Sequence, residues 1–291
     1  MNKALPQEMK EEIGSYIRRM PSLSTTMSKV LEICKNPLAS ANDLNRVISL
    51  DPVLTGKVLK LINSAYYAPG EPITSLTRAI IILGLNTIKN LALSSAIVGT
   101  MRGQGASSSG LMNDFWLHSL STGVITRLLA AYRGVPSQER EEYFVAGFLH
   151  DLGKIPLLSL YPDRYRELLR DFREPDQGAR HRQEEEIFGV GHCQIGTLIA
   201  GKWHLGPQIT RALRDHHLNP TGPDNGDTYA FLVGQADGIA HALHRQQAPS
   251  APPTVIDDHV RRAGIDPAAI PALADLVTRE LEKAKIFLEL N

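Results

Sequence analysis

Apolar side chains recur along this chain with the spacing of helix faces. Met27, Val30, Leu31 and Cys34 follow an i, i+3, i+4, i+7 series, which predicts a helix with one buried side. Ser40 and Asp43 carry the pattern of a capping box ahead of Leu44, Val47 and Ile48. Asp51-Pro52 resets the chain, and Leu54, Val58, Leu61 and Ile62 predict the next helix. Ile88, Leu91, Ala92 and Ser95 predict another after Gly84. No segment alternates apolar and polar residues as a half-buried strand would, so the expected fold is all-α.

Two stretches break the pattern. Residues 102–110, RGQGASSSG, are small and polar and read as a connection. A phosphate-binding loop would need a strand before it and a Walker lysine after it, and neither is present. Residues 245–254, RQQAPSAPPT, read as an exposed loop before the last helix. The expected division is an N-terminal helical lobe, residues 1–101, and a larger helical lobe, residues 111–291, that ends in a C-terminal helix.

Composition narrows the classes. The chain has 291 residues, 43% of them hydrophobic, enough for a substantial core. Thirty-one basic and 31 acidic side chains cancel, which leaves no electrostatic footprint for DNA or an anionic membrane. Cys34 and Cys193 are far apart and form no Cys-x-x-Cys, so they are expected as reduced thiols. No apolar run approaches the roughly 18–20 residues of a membrane span. The opening MNKALPQEMKEEIG lacks the apolar centre of a signal peptide, and a cytoplasmic location is expected.

The chemistry gathers in histidine. Ten occur, all after the first connection. His118 shares a helix face with Leu111, Phe115, Thr122, Ile125 and Leu129, and His150-Asp151 closes the apolar run Tyr143 to Leu149. His216 follows Ile209 and Leu213 on an apolar face, and His217 lies about 100° further round. Asp237 falls between Val233 and Ala240; His192 precedes Ile195, Gly196 and Ile199, with Gly196 leaving room for a ligand or a close helix. Taken singly, each reads more readily as a hydrogen-bonded core residue than as a ligand. Together, five inward histidines and two carboxylates make an implausible core without a cation, and such mixed ligation suits iron, manganese or zinc.

Other polar residues carry plainer expectations. Lys154 reads as a solvated lysine near a helix end, or as a phosphate contact if the family resemblance given below is followed. Arg211 and Arg214 read as exposed cations, and His241 and His244 as surface histidines. His181, His204 and His259 show no pattern. Glu184-Glu185-Glu186 reads as a solvated face, with one carboxylate able to reach a metal beside His192.

His118, His150-Asp151 and Asp237 stand in the order of the HD-domain metal-dependent phosphohydrolases, and the chain resembles that superfamily. The resemblance implies that these four side chains hold a divalent metal and that Asp151 bridges to a second. His150-Asp151-Leu152-Gly153-Lys154 is similar to the HD-x-G-K form of the HD-GYP subgroup, and His192, His216 and His217 match its second-metal histidines. One or two ions of iron, manganese or zinc are therefore implied, with Asp151 and Lys154 catalytic if the protein is an enzyme. After the doublet the chain reads Leu218-Asn219-Pro220, so the Gly-Tyr-Pro loop associated with cyclic di-GMP recognition is missing.

The segments MPSLSTTMSKVLEI, VISLDPVLTGKVLKLINSAYY and ITSLTRAIIILGLNTIKNLAL resemble the opening motifs of HDOD domains. With GHCQIGTLIAGKWHLGPQI the resemblance covers most of residues 20–240, and it implies an HD-like helical fold with the N-terminal lobe packed on the HD lobe. HDOD proteins are regulatory relatives of HD hydrolases, most of which have lost the ligands that this sequence keeps. The favoured expectation is a metal-binding signalling protein acting through a protein partner. A phosphodiesterase or phosphatase for a nucleotide or other phosphoester is the alternative, and a purely structural metal site a third reading.

Overall fold

The computed structural model describes residues 6–34, 36, 38–65, 67, 70–102, 110–137, 139–171, 177–218, 228–246, 254–285 and 288. Among these residues the structure is helical throughout, without a strand. The connections expected at 102–110 and 245–254 lie for the most part outside the described residues.

Six helices build the N-terminal lobe: α1 (Pro6–Arg19), α2 (Thr25–Ile33), α3 (Ala41–Ile48), α4 (Pro52–Ile62), α5 (Leu76–Leu83) and α6 (Leu85–Arg102). Their boundaries follow from local chemistry. Ser40 and Asp43 form the expected capping box, the Ser40 amide donating to Asp43 Oδ2 at 3.0 Å and the Asp43 amide to Ser40 Oγ at 3.2 Å. Asp51 caps α4 by accepting from the Leu54 amide at 2.9 Å, with Pro52 in the first turn. Asn63 closes α4 and clamps the following loop, donating to the Ile73 carbonyl and accepting from the Ile73 amide, both at 2.7 Å. Gly84, at φ 84°, breaks α5 from α6 in a conformation that favours glycine. The faces run as predicted: Met27, Val30, Leu44, Ile48, Val58, Ile88 and Ala92 are all fully buried.

The second lobe contains α7 (Gly110–Tyr132), α8 (Arg140–Leu149), α9 (Lys154–Leu160), α10 (Pro162–Asp171), α11 (Gln177–Phe188), α12 (His192–Lys202), α13 (Pro207–Asp215), α14 (Thr228–Gln246), α15 (Thr254–Arg262) and α16 (Ile270–Ala284), with a 3-10 turn at Pro267–Ala269. α7 is apolar around most of its circumference and lies at the centre, as a helix without a polar face must. α8 crosses it closely: a Cβ on Gly147 would lie 2.9 Å from the Thr122 carbonyl oxygen and 3.0 Å from the Gly123 Cα. That crossing presses the end of α8, and with it His150, against α7.

The apolar interior of the first lobe continues into the second in one cluster, from Met9 and Met27 through Ile97 and Trp116 to Phe148 and Leu213. A second cluster joins Ile125, Leu129, Phe231, Ile239, Val260 and Val277 behind α7. Polar bonds fix the two lobes as well. Lys202 Nζ donates to the carbonyls of Ile17 (2.9 Å) and Arg18 (2.8 Å), Trp203 Nε1 to that of Pro21 (3.0 Å), and Tyr67 Oη to Glu141 Oε2 (2.9 Å). No single helix among the described residues is long and apolar enough to cross a membrane.

Candidate metal centre

Five helices bring the seven predicted ligands to one place. His118 comes from the middle of α7, His150 and Asp151 from the end of α8, and His192 from the start of α12. His216 and His217 follow α13, and Asp237 comes from the middle of α14. His150, Asp151, His192, His216 and Asp237 are at most 3% exposed, and His118 retains 12% of its side-chain exposure.

The residues form two sets that share Asp151. In the first, Asp237 Oδ1 lies 2.9 Å from His118 Nε2 and 3.5 Å from His150 Nε2, while Asp151 Oδ2 lies 3.3 Å from His150 Nε2 and 3.7 Å from His118 Nε2. In the second, His192 Nε2 faces His217 Nε2 at 3.0 Å and His216 Nε2 at 3.4 Å. Asp151 turns its other oxygen to this set, with Oδ1 3.3 Å from His192 Nε2 and 3.7 Å from His216 Nε2. One carboxylate thus addresses both sets, an oxygen to each.

The ring nitrogens are oriented from behind. His150 Nδ1 donates to the Gly147 carbonyl at 2.7 Å and His216 Nδ1 to the Ala212 carbonyl at 2.8 Å. His192 Nδ1 donates to Glu184 Oε2 at 2.5 Å, and the same oxygen accepts the His192 amide at 2.9 Å. A carbonyl can only accept, so it fixes the proton on Nδ1 and leaves the Nε2 lone pair aimed inward. Lone pairs from separate helices then face one another and a carboxylate, and His150 Nε2 and Asp151 Oδ1 are buried without a hydrogen bond. Only a cation or added protons relieve that arrangement, so the residues present fit divalent ions held by imidazole and carboxylate.

The electrostatics agree. Burial lowers the proton affinity of His150, but Asp151 and Asp237 outweigh it and push its pKa up to about 9. Burial also opposes the charge on Asp151 and Asp237, yet the surrounding cationic groups hold both carboxyls well below their usual range. His192 is dominated by burial and falls to about 4 despite Glu184. Burial, followed by His216 and His192, keeps His217 neutral to well below its ordinary value.

Several expectations need correction. Lys154 is not solvated: it is 7% exposed and its Nζ is paired with Asp151 Oδ2. Glu184 does not belong to a solvated face but is completely buried, accepting from His192 and, at 2.7 Å, from Tyr165 Oη. His241 is part of the constellation, its Nε2 3.4 Å from Asp237 Oδ1 and its ring 4.1 Å from that of His118. His181 also faces inward, its ring 5.1 Å from that of His192. His259 is half-buried, 3.1 Å from Gln235 Oε1 through Nδ1. His204, His244 and Arg214 are exposed as expected, and both cysteines are free thiols. Of the missed groups only His241 had a sequence signal, one helical turn beyond Asp237 on the same face.

A cavity of about 490 Å³ opens onto the first set. His118, Asp151, Lys154 and His241 form its polar wall, while Leu111, Phe115, Leu158 and Leu169 contribute an apolar one.

An all-α chain whose helices gather the His…His-Asp…Asp set has the form of an HD-like domain. The HDOD domain matches residues 20–219, and the chain belongs to the HDOD family. An HDOD domain protein of unknown function from Geobacter sulfurreducens superposes with a TM-score of 0.71 at 21% identity, over 98% of this chain and 97% of that one. A candidate phosphohydrolase from Shewanella amazonensis gives 0.70 at 22% identity, over 94% and 97%. At these identities the likeness shows the fold. An uncharacterized protein of Treponema pallidum is 26% identical over 212 residues, 73% of this chain but 40% of that protein, so the chain spans well under half the length of this relative.

Proposed function

We propose that the chain is a metal-binding regulatory protein of the HDOD family, in which metal occupancy of the second lobe is sensed by the first and read by a protein partner. The observation that carries this reading is the way the ligand-bearing helices are tied to the N-terminal lobe. α8, which ends in His150, holds Tyr67 through Glu141, and α12, which begins with His192, ends in the Lys202 and Trp203 bonds to α1 and the segment after it. A change in the position of either ligand is therefore a change at the lobe junction.

A second reading, a phosphohydrolase, is favoured by the cavity beside His118 and Asp151. Bound divalent ions there would activate water and polarise a phosphoryl oxygen. Lys154 supplies an ammonium on the cavity wall, and Leu111, Phe115 and Leu158 exclude bulk water from that side.

Hydrogen exchange of α1 and α6, measured with and without added metal, tests the regulatory reading. Protection that changes in both helices upon loading is expected, and exchange altered only around the ligands would defeat it. A phosphoester panel with wild type and Asp151→Ala addresses the hydrolase. Cyclic di-GMP turnover is expected to be absent or very slow, since Gly-Tyr-Pro does not follow His217. Robust turnover that disappears in Asp151→Ala would put the enzyme first.

A further inference from the structure

We propose that Cys193 is a ligand of the second ion, closing a three-histidine, one-thiolate set with His192, His216 and His217, and that this position takes a thiophilic ion such as zinc or ferrous iron. The inference rests on the metal-binding reading above and adds the chemistry of one position.

The geometry is a four-donor cage. One donor atom from each of His192, Cys193, His216 and His217 lies within 4.8 Å of the other three. Cys193 is 4% exposed, so its sulfur belongs to the interior. The cage also needs positive charge on independent grounds. Asp151 Oδ1, from a residue 1% exposed, points at it from 3.3 Å without a hydrogen bond. Nitrogen lone pairs, a carboxylate oxygen and a sulfur converging on one point form a ligand set.

The thiol must lose its proton to serve. Binding is then Cys–SH plus a divalent ion giving the metal thiolate plus one proton, which passes to solvent. Nothing is oxidised or reduced. The first set, made of His118, His150, Asp151 and Asp237, offers only imidazole and carboxylate and suits a harder ion. The two positions are therefore chemically unequal, with sulfur at one and two carboxylates beside two imidazoles at the other.

Cobalt(II) added to the metal-free 291-residue chain is the probe. Wild type and Cys34→Ser are expected to show a thiolate-to-cobalt charge-transfer band in the near ultraviolet, and Cys193→Ser to lack it while binding its second cobalt at least tenfold more weakly. Zinc-edge X-ray absorption of the wild type supplies a test that needs no variant, with one sulfur expected at about 2.3 Å. Two cobalt ions bound without the band, or a band that survives in Cys193→Ser, would overturn the assignment while leaving the metal centre intact. Failure of the wild type to take up cobalt at all would overturn both.

Discussion

Gly153 and His192 meet backbone to backbone. A Cβ on Gly153 would fall on the carbonyl oxygen of His192 and lie 2.6 Å from the Gly196 amide nitrogen. The turn carrying His150-Asp151 is thereby docked on the first turn of α12, and the close approach expected at Gly196 is helix packing. Gly153→Ala should destabilise the protein by about 1–3 kcal/mol through overpacking. Gly201→Ala, in the same helix with nothing within 4 Å of its new methyl, should be neutral or stabilising by up to about 1 kcal/mol. Urea titrations of the two variants make the comparison, and equal midpoints would show that the contact does not limit the fold.

Metal removal should cost stability, because a cation joining α7, α8 and α14 binds the native arrangement and not the unfolded chain. Linkage gives about 4 kcal/mol when free metal is 1,000 times Kd. Asp151→Ala should melt lower than wild type in metal and respond little to chelator. Superimposable wild-type melting curves with and without chelator, metal loss being verified, would show that the ion does not hold the lobe together.

Metal affinity should rise with pH. With His150 pushed up to about 9, the ring is protonated at neutral pH and must release that proton to bind. Between pH 7 and 8 the first ion should tighten by about tenfold, the limit for one proton per unit. Chelator competition at the two pH values measures this, and a pH-independent constant would rule it out.

The metal-free protein should be most stable near pH 6.5, the ordinary histidine value. His150, raised above that value, contributes stability that is complete below it and is lost as pH climbs toward 9. His192, depressed to about 4, works the opposite way, its contribution being lost as pH falls from 6.5. Denaturation midpoints across pH 5–9 in chelator should trace a maximum, and a monotonic profile would contradict it.

Glu184 should act as a positioning residue for His192, whose tautomer it fixes. Glu184→Gln is expected to weaken the second ion by about 10–100-fold while sparing the first. Metal titration with Glu184→Asp as the conservative comparison decides this, and equal loss of both ions would assign Glu184 a general structural role.

Much of this was legible in the chain because helices announce themselves locally. The Met27–Cys34 series, the Ser40–Asp43 box and the Asp51 cap depend on residues three or four apart, and each lies where expected. Of the seven candidate ligands, His118, His216 and Asp237 were readable from the apolar faces they stand on, and the others from the family order of their motifs. His181 and Glu184 were not, since what makes them inward is the neighbouring helix and not their own pattern. Glu184 sits in a run of three acids, and only the packing of α11 against α12 separates the buried one from Glu186, which is exposed. Lys154 likewise gives no sequence sign that its partner is the carboxylate three residues earlier.

With a metal bound, that pairing would set an order of events. Lys154 sits on Asp151 Oδ2, the oxygen turned toward His118 and His150, as a built-in placeholder of positive charge. While it stays, the carboxylate is neutralised and the ammonium has nothing to offer the neighbouring cavity. A stronger cation bound at that oxygen would repel the ammonium toward the cavity that Lys154 already lines. Anion capture by Lys154 would then be conditional on loading, a two-key lock in which the first key releases the second.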